Sequence, residues 1–292
     1  KYRKTHVIQT AHKLFIEKGY HATSIQDILN ESGVSKGSFY NYFPSKAELF
    51  KAVFTSIEQE LQEKRDALLI GHSPSDSHVF VKQVVLSLEI KRKNKLLQLV
   101  EDALVSNEPE LIAFINQFRF NFLKWVYYRF LQLFSEEKAP YLFDCAVMFN
   151  GILHHFLIVN HETQDRLPLE SMVNYALNCA KVLVEEVSRQ KRQLFSPDQV
   201  PFLDSESYRH HFFNHQISKA ALNLCRKIER SVSSDQQSDY IHLVHFVQEE
   251  LMKAKPRLFL IKSALLSLEQ SPAIKASTEF KTFKQTLPSL ES

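Results

Sequence analysis

Apolar positions recur at helical spacing along almost the whole chain, interrupted by short polar or proline-bearing joints. Val7, Ala11, Leu14 and Phe15 predict a first helix over Tyr2–Lys18, which Gly19 ends in a left-handed conformation. Thr23 and Ser24 precede Ile25, Ile28 and Leu29, with Asp27 three residues after Ser24, so a capping box opens a short second helix that Gly33 closes. Ser35 caps a third helix, and Phe43-Pro44 stops it because a residue before proline is pushed out of the helical region. Ser45 and Glu48 form another capping box, starting a long fourth helix that runs to about Ile70.

Beyond the break at Gly71-His-Ser-Pro74 the same periodicity predicts helices over roughly Asp76–Arg92, Lys95–Ser106, Pro109–Phe134, Ala139–His161 and Leu169–Gln190. A joint containing Pro197 and Pro201 follows, then helices around Ser207–Val232, Asp239–Lys253, Pro256–Gln270 and Pro272–Thr286. With five glycines and ten prolines in 292 residues, no stretch supports a sheet, and the expected fold is all-α. Three segments are expected: a tri-helical head over residues 1–50, a larger helical body over 51–190, and a helical extension over 191–292 that either packs on the body or forms an independent module.

Charge sharpens the division. The net charge is +3, but residues 1–51 carry +4 and the remainder −1, as in a polyanion-binding module joined to a neutral body. Three widely spaced cysteines in apolar helical pattern read as buried thiols in a reducing cytoplasm. No signal-peptide pattern opens the chain and no long uncharged apolar run is evident, so a cytoplasmic protein without membrane attachment is expected.

Helix, glycine, short helix, glycine, short helix is helix-turn-helix organisation. The third helix is about 13 Å long, short enough to enter a major groove end-on. Val34, Phe39 and Phe43 would anchor it, leaving Lys36, Gly37, Ser38, Tyr40, Asn41 and Tyr42 outward or sideways. Ser35 and Ser38 supply hydroxyls at a helix N-terminus, Lys36 can reach a guanine edge or a phosphate, and Gly37 removes a side chain where backbone must approach DNA. Lys46, a cation in the first turn of the fourth helix, is poorly placed unless an anion arrives.

The segment Thr5–Val53 resembles the N-terminal DNA-binding domain of the TetR family of bacterial transcriptional regulators. The likeness lies in Phe15–Gly19, Thr23-Ser24, Asp27-Ile28, the run Gly33–Phe43, and Lys46. It implies DNA contacts at Lys36, Gly37, Ser38, Tyr40, Tyr42 and Lys46, and phosphate contacts at Thr23 and Ser24. Tyr42 stands where many members have histidine. The resemblance further implies a homodimeric regulator, a repressor on a near-palindromic double-stranded operator that a small apolar or amphipathic effector releases through the fourth helix. In such proteins the last two helices of the body form a four-helix bundle with the partner; here these would be Ala139–His161 and Leu169–Gln190.

Two further readings concern the body. The aromatic stretch from Pro109 is apolar on nearly every side; its rings are either core or, in part, the lining of an effector cavity, with Phe118, Phe122 and Trp125 as walls and Glu101, Arg119 and Asp144 as polar handles. His211, His215, His242, His245 and Glu249 have the helical spacing that facing helices use to hold metal, which gives a metal-responsive regulator or a helical metal-dependent enzyme as alternatives. No phosphate loop, nucleophile elbow or HExxH motif occurs, so a non-enzyme without cofactor is expected.

Overall fold

The computed structural model describes residues 2–203, 205–253 and 255–287, without the side chains of Tyr2 and residues 205–211. It is all-α, with no strand among the described residues. Two compact units result. One runs from the N-terminus to Gln62 and adds Leu86–Phe122; the other combines Glu63–Val85 with the chain from Leu123 onward.

The first unit contains α1 (Tyr2–Lys18), α2 (Ile25–Ser32), α3 (Lys36–Tyr42), most of α4 (Lys46–Ala67), the end of α5 (Ser77–Lys93), α6 (Leu96–Val105) and α7 (Pro109–Phe118). Its core is continuous: Val7, Phe15, Ile28, Phe39 and Phe50 from α1–α4 share one cluster with Leu99, Leu111 and Ile115 from α6 and α7. Phe54 links these layers, its ring edge-on to Phe118 at 4.9 Å and Phe114 at 5.9 Å.

The second unit holds α8 (Asn121–Leu133) from Leu123 onward, α9 (Leu142–Glu162), α10 (Leu169–Gln190), α11 (Ser205–Ser231), α12 (Ser234–Met252), α13 (Leu258–Leu268), α14 (Pro272–Lys275) and α15 (Thr278–Gln285). Phe80 is fully buried against Trp125, Phe130 and Phe149. The helices from α11 onward add a second cluster built on Ile217, Leu224, Val247, Leu265 and Phe283. Met252 packs with Leu69 and Val79, and the Gln248 side-chain amide donates to the Leu69 carbonyl.

The stretch Pro109–Phe134 is two helices, not one, with the break at Arg119-Phe120. Its apparent all-round apolarity arises because α7 turns Leu111 and Ile115 into the first unit's core whereas α8 turns Leu123, Val126 and Phe130 into the second's. The stretch before α9 is a 3-10 turn over Glu136–Tyr141 that contains Pro140. The last predicted helix likewise divides, because Ser277 accepts the Phe280 N–H and starts α15 afresh. The stretch Glu136–Glu162 is apolar and long enough, by composition alone, to cross a membrane. It packs on α10 and buries Phe143, Ala146, Phe149 and Leu153, while Val147, Ile158 and Val159 stay exposed.

Glu250 closes α12 from a fully buried position, accepting bonds from Arg257 Nε at 2.9 Å, Arg257 Nη2 at 2.6 Å and Lys253 Nζ at 2.5 Å. Chiefly through the Arg257 side chain, its carboxyl is held at about 2, below the ordinary 4.5. A depressed carboxyl stabilises the fold fully above pH 4.5, and that contribution disappears as pH falls towards 2. Urea unfolding of Glu250→Gln should therefore show lower stability than wild type at pH 6 and a smaller loss on acidification from pH 5 towards pH 2; equal acid sensitivity in both proteins would contradict the assignment.

Candidate nucleic-acid interface

The helix-turn-helix is set by local caps. Ser24 Oγ accepts the Asp27 N–H at 3.0 Å, and the Asp27 carboxylate accepts the Ser24 N–H at 2.8 Å and its hydroxyl at 2.6 Å. These bonds, with Lys18, hold the Asp27 carboxyl at about 2. Gly33 ends α2 at φ 65°, where a side chain would strain the backbone, and donates to the Leu29 carbonyl. Ser35 Oγ accepts the Ser38 N–H and opens α3.

Phe39 is fully buried and Phe43 nearly so, with Val34 and Tyr42 against the same core. Tyr42 thus lies inward on α3. Lys36, Gly37, Tyr40 and Asn41 form its exposed outer stripe, flanked by exposed Ser35 and half-buried Ser38. Gly37 is informative. A Cβ built on it meets no protein atom within 4 Å, and its backbone is ordinary helix, so nothing inside the fold calls for glycine there. Glycine nevertheless costs a helix about 1 kcal/mol relative to alanine.

Two expected phosphate contacts turn inward. Thr23 is fully buried, its hydroxyl donating to the Gly19 carbonyl at 2.8 Å and the Leu14 carbonyl at 3.3 Å. Lys46 Nζ donates to the Tyr20 carbonyl at 2.9 Å and the Thr23 carbonyl at 3.1 Å, and sits 4.2 Å from the Tyr20 ring centre. Burial lowers its pKa. The poorly placed cation is therefore a strut across the α1–α2 corner, with one N–H left over from its three.

Tyr20, which no periodicity marks out, is the hub of that corner. Its only trace in the sequence is an aromatic side chain directly after the helix-ending Gly19. The ring packs on Phe15 and Phe50, its backbone N–H donates to Asp102 Oδ2 at 3.2 Å, and its hydroxyl donates to Glu108 at 3.0 Å. Burial and the Glu108 bond raise the phenol's pKa.

Of the effector candidates, the structure brings Glu101, Phe118, Arg119 and Phe122 together on one cleft of about 600 Å³, walled by α4 through the start of α8. Trp125 and Asp144 are elsewhere. Trp125 is buried in the second unit, stacked on Phe80 with the Arg65 guanidinium carbon 4.5 Å from its ring centre, and Asp144 accepts the backbone N–H groups of Leu194 and Phe195. Both are structural because their functional groups are consumed by neighbours. The metal candidates do not converge either. Glu249 pairs with Lys253, His242 is exposed, and His245 Nε2 lies 3.7 Å from Cys225 Sγ, while His215 is half-buried. The His211 side chain lies outside the described residues, and among those described no three His, Cys, Asp or Glu residues could hold a metal ion.

Comparison with known proteins bears on this architecture. The profile described as bacterial regulatory proteins, tetR family, matches residues 7–53. The HTH-type transcriptional regulator YuxN of Bacillus subtilis (strain 168) is 23% identical over 288 residues, 94% of each chain. A second HTH-type transcriptional regulator of that organism, YerO, is 24% identical over 278 residues, covering 91% of this chain and 89% of its own. The nucleoid occlusion factor SlmA of Haemophilus influenzae (strain PittGG) is 28% identical over 123 residues, 42% of this chain and 56% of its own. No solved structure matches.

Replacing Lys46 with Met should destabilise the DNA-free protein by roughly 1–2 kcal/mol, the weight of its carbonyl hydrogen bonds, in urea denaturation. Unchanged stability would show that the ammonium is not a strut.

Proposed function

The chain belongs to the TetR family of helix-turn-helix transcriptional regulators, and on that premise we propose that it is a homodimeric repressor released from its operator by a small apolar or amphipathic effector. In this reading residues 1–50 bind DNA, 51–190 carry the effector cleft and the dimer face, and 191–292 extend the body. It is not an enzyme, works in the cytoplasm, and uses no cofactor.

The observation that carries the reading is the outer stripe of α3. Lys36, Gly37, Tyr40 and Asn41 are exposed while Phe39 anchors the helix, and Gly37 leaves a gap that no protein atom fills. A helix that forgoes a side chain on its open face is shaped for close approach by something outside the molecule, here the floor of a major groove. Ser38 supplies a phosphate-binding hydroxyl beside it, and Ser24 and Ser35 can add theirs by giving up the bonds they donate to Asp27 and Ser38. Thr23 and Lys46 act through the corner they hold, Lys46 with its remaining N–H available to phosphate, and Tyr42 sets the angle of α3 from the core side.

Dimerisation is assigned to α9 and α10, where Ile158, Val159, Tyr175 and Val182 lie exposed together with Val147. A two-fold pair would place two copies of α3 in successive major grooves, about 34 Å apart, on a near-palindrome.

Selection from a random duplex pool tests this reading: the full chain should enrich an inverted repeat, and enrichment of no sequence would contradict it. Against the selected duplex, Gly37→Ala should lose at least tenfold in affinity while gaining up to about 1 kcal/mol in fold stability. Lys36→Ala should change the base preferred at one position of each half-site. In sedimentation, Val182→Asp should be monomeric where wild type is dimeric.

A further inference from the structure

We propose that the cleft on α4–α8 takes an anionic amphiphile, a carboxylate carried on an apolar chain; this rests on the reading of that cleft as the effector site. Its volume, about 600 Å³, falls within the range of small-molecule sites. Leu96, Val100, Phe118 and Phe122 supply apolar wall. Four cations, Lys91, Arg92, Lys95 and Arg119, share the lining with two carboxylates, Glu58 and Glu101, so the lining residues together carry a surplus of two positive charges.

The four cations are not equivalent. Lys91 Nζ lies 4.2 Å from the centre of the Phe122 ring. Lys95 and Arg119 have no ion-pair partner among the described residues, and each flanks a helix joint, Lys95 between α5 and α6 and Arg119 between α7 and α8. Lys95 holds a left-handed backbone, φ 48° and ψ 40°, which costs a residue with a Cβ about 1 kcal/mol. A cation kept at a strained position on the cleft's edge, with an unpaired guanidinium in the same lining, suits a planar carboxylate. A cationic ligand would meet the surplus of like charge. A neutral ligand would cover the two cations without satisfying either.

The test is calorimetric titration of the full chain with dodecanoate, dodecanol and dodecyltrimethylammonium, each below its aggregation limit. Dodecanoate should bind at least about tenfold more tightly than the other two, the weight of one charge-assisted hydrogen bond. Butanoate, with the same head and little tail, should fail to compete. Lys95→Met and Arg119→Met should each weaken dodecanoate by about tenfold without moving the melting temperature. Equal affinity for the three heads, or preference for the ammonium, overturns the proposal. Dodecanoate that binds here yet leaves DNA affinity unchanged overturns the effector reading while sustaining the ligand class. Conversely, release of DNA by an uncharged or cationic compound that competes for this cleft overturns the ligand class while sustaining the effector reading.

Discussion

The first unit depends on the way one buried residue, Tyr20, is held. Its carbonyl accepts from Lys46, its N–H donates to Asp102, its hydroxyl donates to Glu108, and its ring fills the space between Phe15 and Phe50. A buried backbone group without a partner costs much of a hydrogen bond, so these bonds must form together or the corner opens. Through them α1, α4, α6 and the start of α7 fix a single point, and that point sets where α2 begins. Thr23, whose hydroxyl is bound by carbonyls of the same corner, carries the constraint into the cap at Ser24.

This arrangement gives the proposed effector cleft a mechanical route to the DNA-binding helices within one unit. α6 contributes Leu96, Val100 and Glu101 to the cleft and Asp102 to Tyr20, and Gln98 lines the cleft while donating to the Ile16 carbonyl. A ligand that moved α6 by a fraction of a turn would have to break or re-form those bonds. Control then requires only that the ligand bind the two positions of α6 with different affinity.

Much of this was legible in the sequence because the first four helices are bounded by local chemistry. Ser24 with Asp27, Gly33, Ser35, and Pro44 with Ser45 each act within a few residues, and the structure places caps where they stand. What escaped reading depends on distant partners. Tyr20 takes its meaning from Asp102 and Glu108, 82 and 88 residues away. A hydroxyl or an ammonium serves a carbonyl as readily as a phosphate, so nothing local told Thr23 or Lys46 to face inward. The aromatic run after Pro109 concealed a break because two adjoining helices bury different faces, and Trp125 and Asp144 went to a core and a chain brace that periodicity does not encode.

The central claim is that the outer stripe of α3 meets DNA. Amide hydrogen exchange of the full chain, with and without the duplex it selects, tests that most directly. The account predicts new protection over Ser35–Asn41 and at the start of α2, with the helices beyond α10 unchanged in the region that α11–α15 form. Protection among those C-terminal helices, with none along α3, would contradict it.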